Sequence, residues 1–292
     1  MYRCLSCNTN HEHVRCPACG FEPPTSGGFA TYAPDVAHDG DGYDSDLFAE
    51  LAPLEAESFW FRSRNQLIQD SLLDACSGAT LLPDSFFEVG CGTGFVLTGL
   101  GETYPAMRLV GSEIFVEGLA FARERLGSVE LIQVDARSLP YTEEFGAIGA
   151  FDVLEHIEED TQVLSEMYRA LKPGGTLVVS VPQHRWLWSP ADDYAHHVRR
   201  YTGKELRAKV TAAGFLITRD TSFVSFLLPL MVVSRLAGRL MRKPYDPRKE
   251  MQVTPIVNSV LRRVMTFERW LIRHGVRLPA GGSRLVVARR PV

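Results

Sequence analysis

Short apolar runs alternate with amphipathic ones from residue 85 to residue 181. Five runs read as strands: SFFEV (85–89), RLVGSE (108–113), VELIQVD (129–135), AIGAFDV (147–153) and GTLVVSV (175–181). Segments near 95–103, 115–126 and 158–171 carry apolar residues at helical spacing. Strand, helix, strand at these intervals predicts parallel strands with right-handed crossovers, a doubly wound α/β sheet. Ahead of it, residues 47–76 read as broadly helical with a break at Pro53. Behind it, FLITRD after Gly214 and SRLVVARR (283–290) read as a sixth and a seventh strand.

Ligands of such sheets sit at the C-terminal strand ends, so the chemistry is sought there. The first strand runs into Glu88-Val-Gly90-Cys91-Gly92-Thr93-Gly94, the second ends at Glu113, the third at Asp135-Ala136, and the fourth at Asp152-Val153-Leu154-Glu155-His156. Glycines let the backbone turn sharply and approach a ligand closely. Glu113, 19 residues beyond Gly94, can accept both hydroxyls of a ribose. A dinucleotide fingerprint would read G-x-G-x-x-G and face a pyrophosphate. Here the spacing is G-x-G-x-G, and carboxylates at Glu88, Asp135 and Asp152 would repel that group. They suit a cationic cofactor with amines to bind.

The N-terminus reads C-x2-C-x8-C-x2-C: Cys4, Cys7, Cys16 and Cys19. Each C-x2-C pair lets a tight turn present two thiolates to one metal, and two pairs complete a tetrahedral zinc site. With all four positions filled by protein, such a zinc is structural. Disulfides are the alternative, disfavoured in a chain without a secretory leader. A Gly-, Pro- and Asp-rich stretch follows. The expected organisation is a zinc knuckle at 1–24, a linker and helical wrap at 25–57, and the main domain at 58–292.

Net charge is −4, yet from Val233 onward 14 Lys/Arg face only Asp246, Glu250 and Glu268. A basic C-terminal third beside an acidic body suggests a face that meets something anionic. No apolar run reaches the ~18 residues needed to span a bilayer. The expected setting is cytoplasmic, with a peripheral position at the inner membrane face as the variant.

EVGCGTG, Glu113, VDA, FDVLEHI and LKPGGTLVVSVP, in this order, resemble the class I S-adenosylmethionine-dependent methyltransferases over about 59–292. The resemblance implies a mainly parallel, seven-stranded Rossmann-like sheet with an antiparallel last strand. It implies S-adenosylmethionine as cofactor and S-adenosylhomocysteine as product. Glu88 and Gly90 would meet the methionine end, with Cys91, Gly92 and Thr93 in the turn closed by Gly94. Glu113 would hold the ribose, Ile114 would pack on the adenine, and Asp135 with the Ala136 backbone would bind its amine. Asp152, with Val153 beside it, would face the sulfonium. FDVLEH is most like the branch acting on small molecules, as in ubiquinone-pathway O-methyltransferases. No Asn/Asp-Pro-Pro-Tyr motif of base-methylating branches follows the fourth strand. An RNA methyltransferase with a cysteine knuckle and a non-catalytic S-adenosylmethionine-binding module are the alternative functions, and overall acidity disfavours the first.

An acceptor hydroxyl needs a base and in-line geometry. The loop after the fifth strand (182–202) is dense in titratable and aromatic groups. His184 is the preferred base, with His156 and His197 as rivals and Asp193 placed to orient His197 from four residues away. Trp186, Trp188, Tyr194, Arg199, Arg200 and Tyr201 are the substrate candidates, the arginines as a clamp for phosphate or carboxylate. Trp60 and Arg62 are expected near the cofactor's methionine end. A helical insertion at about 223–282 separates the last two strands, its two segments apolar on one side and rich in arginine on the other. That pattern fits an anionic membrane surface and a lipid-linked acceptor, or else a lid or an oligomer face.

Overall fold

The computed structural model describes residues 1–36, 46–76, 83–241 and 253–292. The middle of the expected linker and the centre of the expected insertion lie outside the described residues. In chain order, β1 (Tyr2–Arg3), β2 (Asn10–His11), β3 (Thr25–Ser26) and β4 (Phe29–Thr31) precede α1 (Asp46–Glu55) and α2 (Phe59–Cys76). The alternating body follows as β5 (Ser85–Val89), α3 (Phe95–Thr103), β6 (Arg108–Glu113), α4 (Val116–Leu126), β7 (Glu130–Gln133) and β8 (Phe145–Phe151). It continues through α5 (Asp160–Ala170), β9 (Leu171–Pro182), α6 (Pro190–Tyr194) and α7 (Gly203–Ala212). The chain closes with β10 (Leu216–Phe223), α8 (Leu228–Met241), α9 (Pro255–Arg273) and β11 (Ser283–Arg289).

The sheet order is β10-β11-β9-β8-β5-β6-β7-β4-β3. Its seven core strands are the expected ones: β5 to β9 are parallel, and β11 runs antiparallel between β9 and β10. Two strands were not foreseen. The segment read as linker pairs β4 with β7 in parallel and folds β3 back along the edge. Gly27 and Gly28, at φ 57° and 82°, supply the two left-handed residues that a tight hairpin turn needs. Pro53 does not break α1; it lies within the helix, and the interruption falls just after Glu55.

Alternation along β5 divides the core. Phe86 packs into one cluster with Leu97, Leu100, Leu119 and the α2 residues Ile68 and Leu72. Phe87 and Val89 face the other side, where Phe87 stacks on Phe145 at 4.8 Å beside Leu164 and Leu206. Burying each such side chain stabilises the fold by about 1.5–3 kcal/mol. Both layers fix the sheet, and the sheet fixes its C-terminal edge.

The cysteine knuckle docks at the opposite edge. Arg3 N donates to Pro140 O at 3.0 Å, and Tyr2 lies 5.5 Å from the fully buried Tyr141, just before β8 begins. In the insertion, α9 lies against α2 through Arg269 with Asp70 and through Asn258, whose side chain accepts from Phe59 N and donates to Glu57 O. Thr254 caps α9 and Pro255 occupies its first turn, an arrangement that suits Pro because no N–H is required there.

Candidate active site

The glycine loop joins β5 to α3. Gly90 and Gly94 have φ of 70° and 76°, where side chains are strained. A Cβ at Gly90 would come within 2.5 Å of Val153, and one at Gly94 within 2.7 Å of Leu126. The loop is tied to the next strand by Glu113, whose carboxylate accepts from Gly92 N at 3.0 Å and from Ile114 N at 2.8 Å. Burial raises the Glu113 pKa against the pull of these amides.

Glu88 is 2 % exposed, and its Oε2 has no hydrogen-bond partner. Burial pushes its pKa well above the usual range; Arg64 opposes this, while Glu113 and Glu55 add to it. A buried carboxylate oxygen left without a donor inside a glycine cradle fits a ligand that brings an ammonium group.

The other two acids already have partners. Asp135 accepts from the Arg137 amide at 2.8 Å and is paired with its guanidinium at 2.8 Å. Asp152, held at φ 57° just past β8, is paired with Arg64. Arg64 lies over the Trp60 ring at 4.7 Å. Trp60 therefore positions Arg64, while Arg62 is exposed on another side of α2. The contact of Arg64 with Trp60 and Asp152 was not foreseen from the sequence. Its signal was the i, i+4 spacing from Trp60.

Past Asp152, a single turn of 3-10 helix (Leu154–His156) brings Glu155 and His156 together with His197, their ligand atoms all within 4.8 Å. Glu155 is fully buried and neither carboxylate oxygen is partnered. Burial raises its pKa well above the ordinary value, and Asp152 adds to the rise. The His156 and His197 rings meet edge to face at 4.7 Å. Burial, with His197 nearby, lowers the His156 pKa to about 3, so its imidazole is neutral at neutral pH. A carboxyl group beside two imidazoles is a donor set for a divalent cation.

Asp192, not Asp193, orients His197. Its Oδ1 lies 2.9 Å from His197 Nδ1 and accepts from Arg200 Nε at 2.6 Å. Asp193 accepts instead from Trp188 Nε1 at 2.9 Å. The reason is local: Asp192 closes a capping box with Ser189 at the start of α6, and the chain then reverses at His196, φ 53°, folding His197 back. Arg199 is likewise spoken for by Asp160 at 2.7 Å, and the fully buried Tyr201 donates to Asp160 and to Leu154 O. These four residues of the expected substrate set, Trp188, Arg199, Arg200 and Tyr201, frame the loop. Trp186 remains open: it is 54 % exposed and stacks on His184 at 5.1 Å, while Tyr194 is exposed at the end of α6. His184 sits at φ 66° with an unpartnered buried Nε2, and burial, reinforced by Arg284 and Arg200, lowers its pKa.

In the knuckle, Cys4 and Cys19 sulfurs are 3.5 Å apart and those of Cys7 and Cys16 3.6 Å. All four lie within 4.8 Å of one another, without a disulfide. Four sulfurs at Zn–S bonds of about 2.3 Å sit about 3.8 Å apart in a tetrahedron, so the donor set fits zinc. Asn8 (φ 61°) and Gly20 (φ 77°) supply the two tight turns.

Comparison with known proteins bears on this geometry. A family described as "Methyltransferase domain" matches residues 87–179, from β5 into β9. A Mycolicibacterium smegmatis protein described as a probable S-adenosylmethionine-dependent methyltransferase is 30 % identical over 166 residues, 56 % of this chain and 61 % of that one. A Mycobacterium tuberculosis protein of the same description is 28 % identical over 170 residues, 57 % of this chain and 59 % of that one. The chain thus spans about three-fifths of the length of these relatives. Among solved structures, a chain from the complex of the Haloferax volcanii Trm112 methyltransferase activator with a methyltransferase shares the fold at TM-score 0.53 and 18 % identity, over 85 % of this chain and 97 % of that one. A geranyl diphosphate methyltransferase does so at TM-score 0.53 and 13 % identity, over 79 % and 78 %.

Proposed function

We propose that this chain, which carries a class I S-adenosylmethionine-dependent methyltransferase domain, moves the sulfonium methyl group to an oxygen of a small or lipid-linked acceptor. The unpartnered Glu88 Oε2 inside the glycine cradle is the observation that carries the cofactor assignment. The methionine ammonium would satisfy it. Glu113 would take the ribose hydroxyls, Ile114 and Ala136 would flank the adenine, and Asp135 would bind its amine. Asp152, screened by Arg64, would face the sulfonium without being a bare charge.

S-adenosylmethionine, when bound, would supply an electrophilic sulfonium methyl group, which an acceptor hydroxyl held in line would take with loss of the neutral thioether. The hydroxyl proton must go to a base. His197 is better supported than His184, because Asp192 fixes its Nδ1 and leaves Nε2 to accept the proton. His156, with its pKa near 3, is too weak a base for this role.

A second reading rests on Glu155. Its two unpartnered oxygens beside His156 and His197 favour a divalent cation that would lower the acceptor's pKa in place of the base. The deciding experiment measures S-adenosylhomocysteine release with hydroxylated acceptors, before and after chelation. Turnover that survives chelation and fails in His197→Ala supports the base. Turnover lost on chelation and restored by a divalent cation supports the second reading, and no release with any acceptor sinks both.

A further inference from the structure

The two insertion helices carry a surface that the catalytic reading leaves unused. On α9, Val260, Phe267 and Trp270 recur at helical spacing on the face opposite Met265, Glu268 and Ile272, which are buried. Phe267 is 53 % exposed and Trp270 52 %. Phe226, Leu230 and Val233, at and just before α8, are exposed as well. Three of the rings adjoin: Phe226 lies 5.7 Å from Phe267, and Phe267 stacks on Trp270 at 6.0 Å. Singly exposed apolar residues need no explanation, but adjoining exposed rings flanked by exposed aliphatic residues do.

Its charge says what covers it. Arg263 falls within the apolar stripe, and Arg262 and Arg277 are exposed beside it, while Arg273 lies 3.8 Å from Asp70 of α2. A second copy packed on this face about a two-fold axis would set these arginines against themselves. An anionic lipid surface would pair with them, while the aromatic rings enter the headgroup layer. None of the described helices is long and apolar enough to cross a membrane, so α8 and α9 would lie along the interface. We infer that the α8–α9 face is a docking surface for an anionic lipid bilayer. The face adjoins the acceptor loop, since α8 packs against the turn Arg185–Leu187 that carries the exposed Trp186. An acceptor held in the bilayer would then be presented beside that loop.

The inference is independent of methyl transfer, because vesicle binding requires no turnover. The test is cosedimentation of the full zinc-loaded chain with phosphatidylcholine vesicles and with mixed phosphatidylcholine–phosphatidylglycerol vesicles. The expected result is binding to the anionic vesicles about tenfold tighter than to the neutral ones, weakening with added salt. Phe267→Ser with Trp270→Ser should reduce binding by about tenfold or more. Arg262→Gln with Arg263→Gln, at exposed positions, should remove the anionic preference even if the first pair fails to fold. Absence of wild-type binding to anionic vesicles, or binding unchanged in both pairs, overturns the inference. So does a stable dimer in light scattering that Phe267→Ser with Trp270→Ser dissociates, which would assign the face to a second copy.

Discussion

Asp192 holds the His197 ring at 2.9 Å while being held itself by Arg200 and by the Ser189 cap. Burial opposes its ionisation, but His197 and Arg200 outweigh it and keep its pKa well below the carboxylate range. The ring is thus oriented by a carboxylate that is held by hydrogen bonds and whose ionised form its partners favour. His197→Gln should lower kcat by about 10²-fold or more while S-adenosylmethionine affinity stays within about twofold. Steady-state kinetics beside calorimetry separates the two quantities, and a variant losing affinity and kcat together would place His197 in cofactor binding instead.

Burial raises the Glu88 pKa well above the usual carboxylate range, and an ammonium group facing it would favour its ionisation. With Glu88 taking the cofactor's ammonium as proposed, binding should release a proton, and affinity should rise with pH until Glu88 ionises in the free chain. Titrations in buffers of different ionisation enthalpy should show that release in the wild type and lose it in Glu88→Gln. Equal proton counts for both chains would remove Glu88 from the site.

Asp160 is the centre of a buried ion-pair cluster. It is 1 % exposed and joins Arg199, Lys209 and Tyr201 beneath the acceptor loop. Burial raises its pKa, but the hydrogen bonds from these partners prevail and the folded value lies below the ordinary one. A depressed carboxylate stabilises the fold above its unfolded pKa of about 4 and loses that contribution as pH falls through the folded value. Asp160→Asn should flatten the acid limb of the melting curve and cost about 3–5 kcal/mol at neutral pH. An unchanged acid limb would show the cluster to be energetically idle.

The strand–helix alternation carried most of the fold, because each strand of the parallel core is buried on both faces and reads as an apolar run. The edge hairpin escaped because Gly27-Gly28 sits in a stretch whose Pro and Asp density argued for linker. The positions of Glu88 in the first core strand and of Glu113 at the end of the second, beside the glycine loop, were legible from the strand pattern. Asp192 was not: spacing pointed to Asp193, and only the reversal at His196 brings the earlier acid to His197. That Arg64 and not Arg62 lies over Trp60 was not legible, because the face of α2 depends on how Trp60 packs.

Metal content tests the knuckle. One zinc per chain is expected, and Cys16→Ser should release it and lower the melting temperature by loosening the contact of Tyr2 and Arg3 with residues 140–141. S-adenosylmethionine binding should survive below the new melting point, since the knuckle sits at the sheet edge opposite the glycine loop. Loss of binding in a chain that remains folded would make the zinc part of the active site.

Calorimetric titration of S-adenosylmethionine into the wild type and Glu113→Ala tests the central assignment most directly. The account predicts one cofactor per wild-type chain and an affinity lower by about 10²-fold or more in the variant, with the variant still folded by circular dichroism. Equal affinity in the two chains would contradict it.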